Sequence, residues 1–68
     1  MNKEVRYTLF FNQMENAGYD VEQYRGRNFY EGPSVRCDRG ELQDVIRATT
    51  VKLQWDELGR DGLVVYPV

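Results

Sequence analysis

The residue types best suited to binding lie together in one short stretch, YRGRNFY at positions 24–30. Arginines interleaved with aromatic rings can bind single-stranded nucleic acid, because the rings stack on bases and the guanidinium groups contact phosphates. Tyrosine and arginine also dominate the energetic centres of protein–protein interfaces. The glycine in the middle of the stretch predicts a tight turn that must be exposed. The candidate partner-binding residues are Tyr24, Arg25, Arg27, Phe29 and Tyr30.

A structural interpretation of this stretch competes with the binding one. In it, Phe29 belongs to the core, Tyr24 or Tyr30 is half-buried in a strand, and the arginines only solvate a turn. If the stretch does bind a partner, the charge of the chain indicates which kind. The net charge is −2, whereas non-specific binding to DNA depends on positive charge that neutralises phosphates. A protein partner is therefore favoured over nucleic acid.

The residues that most often carry catalysis are absent or isolated. The chain has no histidine, which is the commonest general acid–base group near neutral pH. Its only serine, Ser34, has no histidine partner, and its 11 Asp and Glu residues are scattered along polar faces and turns. With one cysteine and no histidine, the common zinc sites are excluded as well. We therefore expect no enzyme activity, no metal and no cofactor.

The single cysteine has two interpretations. Cys37 follows Arg36 and precedes a helix predicted to begin near Asp38, and both a cation and a helix N-terminus lower the pKa of a thiol. A lone cysteine in a strand is more often a small buried apolar residue. The second interpretation is favoured.

The first element that could position these residues is a helix capped by Asn2 and ended by Gly18. Its period of 3.6 residues predicts one apolar face, and the residues on it are Tyr7, Phe10, Phe11, Met14 and Ala17. Val5 and Leu9 lie off that face. They are either scattered surface residues or an exposed pair that contacts a second copy or a target helix, which makes them a secondary candidate surface.

Two predicted hairpins follow this helix. Residues 19–25 and 28–37 form the first, with the reversal at Gly26, and Gly32-Pro33 predicts an edge or a bulge in its second strand. Asp38 and Glu41 have the spacing of a capping box for a second helix, whose apolar face is Leu42, Val45, Ile46 and Thr49. Residues 51–56 alternate as a half-buried strand. Residues 63–66 are apolar on both faces, as in a central strand or in one whose second face meets a partner.

The predicted fold class is α+β, in the order α-β-β-α-β-β, within one domain spanning residues 1–68. Two hairpins would form a four-stranded antiparallel sheet with both helices on one face. The order of strands across the sheet cannot be predicted from these patterns. The predicted core consists of Phe10, Met14, Leu42, Ile46, Leu53, Trp55 and Val65.

Several short motifs resemble small uncharacterised proteins of phage and cyanobacterial genomes. The motifs are Gly18-Tyr19-Asp20-Val21, the turn Tyr24-x-Gly26-Arg27-x-aromatic-Tyr30, Trp55-Asp56-x-Leu58-Gly59 and Val64-Val65-Tyr66-Pro67. The resemblance covers roughly residues 18–67 and omits most of the first helix. It implies no established activity and no functional residue. It does imply a phage-type accessory protein that binds and blocks a protein of the host.

The function expected from the sequence is therefore that of a small non-enzymatic protein-binding domain, in specific form a phage-type inhibitor of a host or defence protein. One alternative is a single-stranded nucleic-acid or RNA binder that uses the same residues. A second alternative is a structural subunit that forms a homodimer through its final strand. No apolar run approaches the roughly 20 residues that span a bilayer, and the first residues do not have the pattern of a secretory signal. No membrane association and a cytoplasmic location are expected.

Overall fold

The computed structural model describes residues 2–68, which form two α-helices and four β-strands of an α+β fold, as predicted. The elements are α1 (Lys3–Asn16), β1 (Glu22–Arg25), β2 (Glu31–Cys37), α2 (Leu42–Arg47), β3 (Leu53–Glu57) and β4 (Leu63–Pro67). The strands form one sheet in the order β1-β2-β4-β3, and every neighbouring pair is antiparallel. Among residues 2–68, no helix has both the length and the apolar character needed to cross a membrane.

Helix α1 begins and ends where its caps predict. The Asn2 side chain accepts a hydrogen bond from the Val5 N–H at 2.9 Å, and Gly18 beyond the last turn has φ +91°. Its buried stripe is narrower than predicted. Phe10 and Met14 are fully buried, whereas Phe11 is 41% exposed, because a residue one position further along faces about 100° away.

The two hairpins contact each other through a short ladder. Val35 pairs with Val65, and the ladder continues to Cys37 and Leu63. In the other direction the next hydrogen-bonded pair would be Pro33 with Pro67, and neither proline has an N–H to donate. The ladder therefore ends there, and backbone pairing joins the two hairpins over three residue pairs only.

This arrangement corrects the prediction of an edge or a bulge at Gly32-Pro33. β2 is a central strand, and Pro33 lies within it opposite Gln23. The Gly26 N–H donates to the Tyr30 carbonyl, and hydrogen-bonded pairs recur at every second residue. The nitrogen of Pro33 therefore points away from β1, where it interrupts no bond of the first hairpin.

Both strands of the first hairpin are shorter than predicted. β1 begins at Glu22 rather than at residue 19, and β2 begins at Glu31 rather than at residue 28. Tyr19 and Val21 instead pack as half-buried side chains against the main core. Residues Arg27–Phe29 form a short 3-10 turn.

The main core lies between the helices and one face of the sheet. Its buried members are Phe10, Met14, Val35, Cys37, Val45, Val51, Leu63 and Val65. Both helices contribute to it. The predicted core is correct for Phe10, Met14 and Val65, while Leu42 and Leu53 are half-buried against it.

Two predicted core residues are wrong. Ile46 is half-buried outside this cluster, because α2 has only six residues and turns Val45 toward the sheet. Trp55 is 36% exposed, because β3 lies at the edge of the sheet and has a neighbour on one side only.

A second cluster covers the other face of β4. It contains the buried residues Tyr30, Val64 and Tyr66, with Tyr7, Tyr24 and Leu58 packed against them. β4 is thus a central strand buried on both faces, as predicted, and its second face is covered by tyrosines of the same chain. β2 and β3 lie on its two sides, so the final strand is not an edge strand of the sheet.

Candidate functional site

The connection between β1 and β2, residues 26–30, is called the tip below. The Gly26 N–H donates to the Tyr30 carbonyl at 3.0 Å, and the Tyr30 N–H donates to the Arg27 carbonyl at 3.1 Å. The two residues between Arg27 and Tyr30 both have a left-handed backbone, Asn28 at φ 57° and Phe29 at φ 61°. Positive φ at both central residues is typical of the tight turns of hairpins. The chain therefore reverses at Asn28 and Phe29, which corrects the predicted reversal at Gly26.

Phe29 is the most exposed large apolar residue of the tip. Its relative accessibility is 101%, so its ring has no contact that buries it. The left-handed conformation costs a residue with a Cβ about 1–2 kcal/mol, and asparagine but not phenylalanine adopts it readily. The interpretation that Phe29 belongs to the core is therefore wrong.

Asp56 of β3 joins the tip to the second hairpin. Its carboxylate accepts hydrogen bonds from the Tyr24 hydroxyl at 2.7 Å and from the Tyr66 hydroxyl at 2.7 Å. A third comes from Arg27 Nε at 2.6 Å. Arg27 Nη2 also donates to the Trp55 carbonyl at 2.9 Å. Residues from β1, the tip and β4 thus meet on one carboxylate.

The ionisation of this group follows from its partners. Burial alone would raise the pKa of Asp56, but the hydrogen bonds from Tyr24, Tyr66 and Arg27 outweigh it, and the pKa is lowered. The hydrogen bond to the Asp56 carboxylate, with burial second, raises the pKa of Tyr24 to about 12. Near neutral pH the site therefore holds a charged carboxylate with neutral phenols as donors.

Gly26 is required by this network rather than by its own backbone conformation. Its φ is −124°, which other residues adopt. A Cβ at this position would lie 2.6 Å from a ring carbon of Tyr24 and 3.0 Å from the Asp56 carboxylate. The tip can approach the carboxylate closely only because this residue has no side chain.

The predicted binding residues are therefore divided between two environments. Tyr24 faces Asp56, and Tyr30 is 8% exposed, with its ring 4.4 Å from that of Tyr66 and its hydroxyl donating to the Pro33 carbonyl. Arg27 is bound by Asp56. Arg25 and Phe29 extend outward, and the Arg27 side chain, although bound to Asp56, is itself 66% exposed.

Arg25 and Phe29 border a groove of about 570 Å³, whose lining residues are Arg25, Gly26, Asn28, Phe29 and Glu31. Arg25 donates through Nε and Nη2 to the Glu31 carboxylate at 3.0 and 2.8 Å. Both side chains are mostly exposed, so the pair contributes little to stability. It does leave the surroundings of Phe29 without net charge.

The secondary candidate surface on α1 is only partly exposed. Val5 is 50% exposed, whereas Leu9 is half-buried and packs against the main core. A shallow depression of about 450 Å³ lies here, lined by Glu4, Val5, Thr8, Leu9 and Asn12. The predicted exposed pair is thus one exposed residue and one core-contacting residue.

Cys37 lies in the main core and is 6% exposed. Burial, together with the carboxylates of Glu41 and Asp38, raises the pKa of its thiol. The features that would have activated it are outweighed, and the interpretation as a buried apolar residue agrees with its surroundings.

Two residues of the site had no signal in the sequence. Asp56 and Trp55 belong to β3, which is part of the second hairpin, whereas the tip belongs to the first. Only the three-dimensional arrangement brings them to Arg27. Among residues 2–68, no three Asp, Glu or Cys side chains come close enough to hold a metal ion.

Compared with protein-family models, curated proteins and solved structures, the chain matches none. Its fold and tip therefore define it only as a small α+β domain whose hairpin tip is bound to the second hairpin and exposes Phe29.

Proposed function

We propose that this chain is a non-enzymatic protein-binding domain and that its tip inserts Phe29 into an apolar pocket of the partner. The observation that supports this most is the combination of full exposure and a left-handed backbone at Phe29. Glycine would relieve the strain, and a polar side chain would avoid exposing a ring. A residue unfavourable on both counts points to a role outside folding.

The attachment of the tip supports the same proposal. Arg27 is bound to Asp56, and Asp56 is held by two tyrosine hydroxyls. The backbone that carries Phe29 is therefore ordered before any partner arrives. Less conformational entropy is lost on binding when the contact residue stands on a preorganised element.

A protein partner fits the exposed groups better than nucleic acid does. Of the three rings that could stack on bases, Tyr24 and Tyr30 face the sheet, and Phe29 alone is exposed. The guanidinium groups that would meet phosphates, those of Arg25 and Arg27, are paired with carboxylates. An apolar ring in a charge-balanced setting is suited to a pocket on a protein surface.

The resemblance to phage and cyanobacterial proteins extends this proposal. In its specific form, the chain is a phage-type inhibitor of a host or defence protein and acts in the cytoplasm. The absence of histidine and the burial of Cys37 support a role in which the chain occupies a surface rather than transforming a substrate.

The test is capture of a partner from a host lysate, with and without nuclease, by the wild-type chain and by Phe29→Gly. Removal of an anchor ring should weaken binding by about 2 kcal/mol or more, which is about thirtyfold in affinity. Because glycine accepts positive φ, the free energy of unfolding should stay unchanged or rise by up to about 1 kcal/mol. Phe11→Ala is the matched control, since Phe11 is also an exposed phenylalanine. Nuclease-sensitive capture, or full affinity in folded Phe29→Gly, would contradict the proposal.

A further inference from the structure

The outer edge of β3 carries backbone groups that no other strand among residues 2–68 contacts, because β3 is the last strand of the sheet. Two hydrogen bonds next to the ends of β3 show which of its backbone groups face outward. The Val68 N–H donates to the Lys52 carbonyl at 2.9 Å, and the Leu58 N–H donates to the Gly62 carbonyl at 2.8 Å. Hydrogen-bonded pairs of an antiparallel ladder alternate. Even-numbered residues of β3 therefore direct their backbone groups at β4, and odd-numbered residues direct theirs outward.

The outward carbonyl of Trp55 is occupied by Arg27. Nη2 of Arg27 donates to it at 2.9 Å, while Nε of the same guanidinium contacts Asp56 at 2.6 Å. One arginine from the first hairpin thus covers two acceptors on the edge of the second. Native sheets commonly protect their free edges with charged side chains.

We propose that the β3 edge is a pairing surface for a second copy of this chain and that Arg27 keeps it closed. The sequence of the edge is complementary to itself in the antiparallel register centred on Gln54. In that register Leu53 faces Trp55 of the second copy and exchanges two backbone hydrogen bonds with it, because both residues direct their backbone groups outward.

The side chains in this register also match. Leu53 and Trp55 lie on the same face of β3, so an apolar pair forms on each side of the two-fold axis. On the other face, Lys52 would lie opposite Asp56 of the second copy, which is an opposite-charge pair. A register centred on Asp56 would instead set two carboxylates against each other. Charge complementarity therefore favours the register centred on Gln54 over the one centred on Asp56.

Arg27 occupies the two groups that this pairing needs most. The Trp55 carbonyl would accept from the Leu53 N–H of the second copy, and the Asp56 carboxylate would meet Lys52. Both are bound to Arg27 in the single chain. Removal of this side chain should therefore strengthen self-association rather than merely loosen the fold.

The test is sedimentation equilibrium of the wild-type chain and Arg27→Ala over a wide range of concentrations. Arg27→Ala should dimerise at least about tenfold more tightly. In the Arg27→Ala background, Lys52→Glu should reverse this gain, because it places a second carboxylate opposite Asp56 of the other copy. Arg60→Glu is its control, since it makes the same charge change at another exposed position.

Asp56→Asn separates pairing from loss of stability. It weakens the contacts of Arg27 and the tyrosines, yet it leaves the Trp55 carbonyl covered, so it should remain as monomeric as the wild type. A folded Arg27→Ala protein that stays monomeric would overturn the proposal. So would equal dimerisation by Asp56→Asn, or a dimer insensitive to Lys52→Glu. None of these outcomes depends on whether the tip binds another protein.

Discussion

The tip folds without the side chain of Phe29, which is exposed to solvent. The turn is formed by backbone hydrogen bonds of Gly26 and Tyr30, and it is anchored by Arg27. None of these contacts uses the Phe29 ring. Binding surfaces that carry an unfavourable residue commonly trade stability for function. Phe29→Gly is therefore informative in two measurements, the affinity for the partner and the free energy of unfolding.

The hydrogen bond between Tyr24 and Asp56 makes the stability of the fold depend on pH in the alkaline range. The pKa of Tyr24 is about 12 in the folded chain and about 10 in an unfolded one. Its contribution is complete below pH 10, because there both states are protonated. As pH rises from about 10 to about 12, the unfolded chain loses this proton first, so stability falls.

Thermal melts between about pH 8 and 12 measure this effect. The expected result is a smaller decline for Tyr24→Phe, which keeps the ring beside Tyr66 but has no proton to lose. Equal declines in both proteins would show that the bond between Tyr24 and Asp56 does not contribute. At the acid end the sign is reversed. The lowered pKa of Asp56 adds stability above about pH 4, which is lost as pH falls through the folded value.

At this scale the sequence predicted which residues are unusual but not where their side chains point. Tyr24 and Tyr30 were proposed as contact residues because of their types. Their orientation depends on Tyr66 and Asp56, which lie some thirty or more positions along the chain. No local pattern contains that information, because residue type and spacing describe one element at a time.

Among the secondary-structure elements, the start of α2 is the best predicted feature. Asp38 and Glu41 form a reciprocal capping box, in which the Asp38 N–H donates to the Glu41 carboxylate at 3.1 Å. The box encloses the turn Arg39–Glu41, which continues directly into α2. Such a signal is readable because all of its atoms lie within four consecutive residues.

Replacement of Asp38 by alanine tests the energetic weight of this box. The expected loss is about 0.5–2 kcal/mol of unfolding free energy, without loss of the fold. Chemical denaturation of Asp38→Ala and of Asp20→Ala, an exposed aspartate that caps no helix, makes the comparison. An unchanged midpoint for Asp38→Ala would mean that the turn at Arg39–Glu41 holds the helix start without the side chain.

Element boundaries were predicted less well where no cap marks them. The first hairpin was expected to begin at residue 19, because Tyr19 and Val21 suit a strand. Tyr19 and Val21 instead precede β1 and pack, half-buried, against the main core. They have no partner strand, which the sequence alone does not reveal. The second strand is likewise predicted from residue 28, because Phe29 and Tyr30 suit a strand, although the left-handed backbone of Asn28 and Phe29 belongs to a turn.

At the scale of the whole molecule, the main core depends on a few central side chains. Val45 is fully buried, whereas Ile46, beside it on α2, is only half-buried. Val45→Ala should therefore cost about 2 kcal/mol or more of unfolding free energy, since it removes buried methyl groups and leaves a cavity. Ile46→Ala should cost less, although the larger residue is truncated.

Urea unfolding of these two variants gives the measurement, with parallel slopes as the check that the unfolded states are comparable. A larger loss for Ile46→Ala would contradict the orientation of α2 on the sheet. The comparison also revises the sequence-based core, in which Ile46 was expected to be central. The 3.6-residue period gave both residues the same face, and it could not decide which of them meets the sheet.

The fold class and element order were predictable because each hairpin and helix has its own local period. The strand order was not, since a period defines the faces of a strand and not its neighbours. Trp55 shows the effect on one residue. Its alternation with polar residues predicted an inward side chain, and its place at the sheet edge leaves the ring partly exposed.

The ladder that stops at Pro33 and Pro67 leaves the two ends of the sheet joined in different ways. At the helix-covered end, backbone pairing and the main core join the hairpins. At the tip end they are joined by side chains, through the hydrogen bonds to Asp56, the bond from Arg27 to the Trp55 carbonyl and the packing of Tyr30 on Tyr66. A substitution or protonation at Asp56 should therefore loosen this end of the sheet, with Arg27 still on the Trp55 carbonyl, while the paired end stays folded. Local opening of the sheet should accordingly be most frequent at the end that carries Phe29.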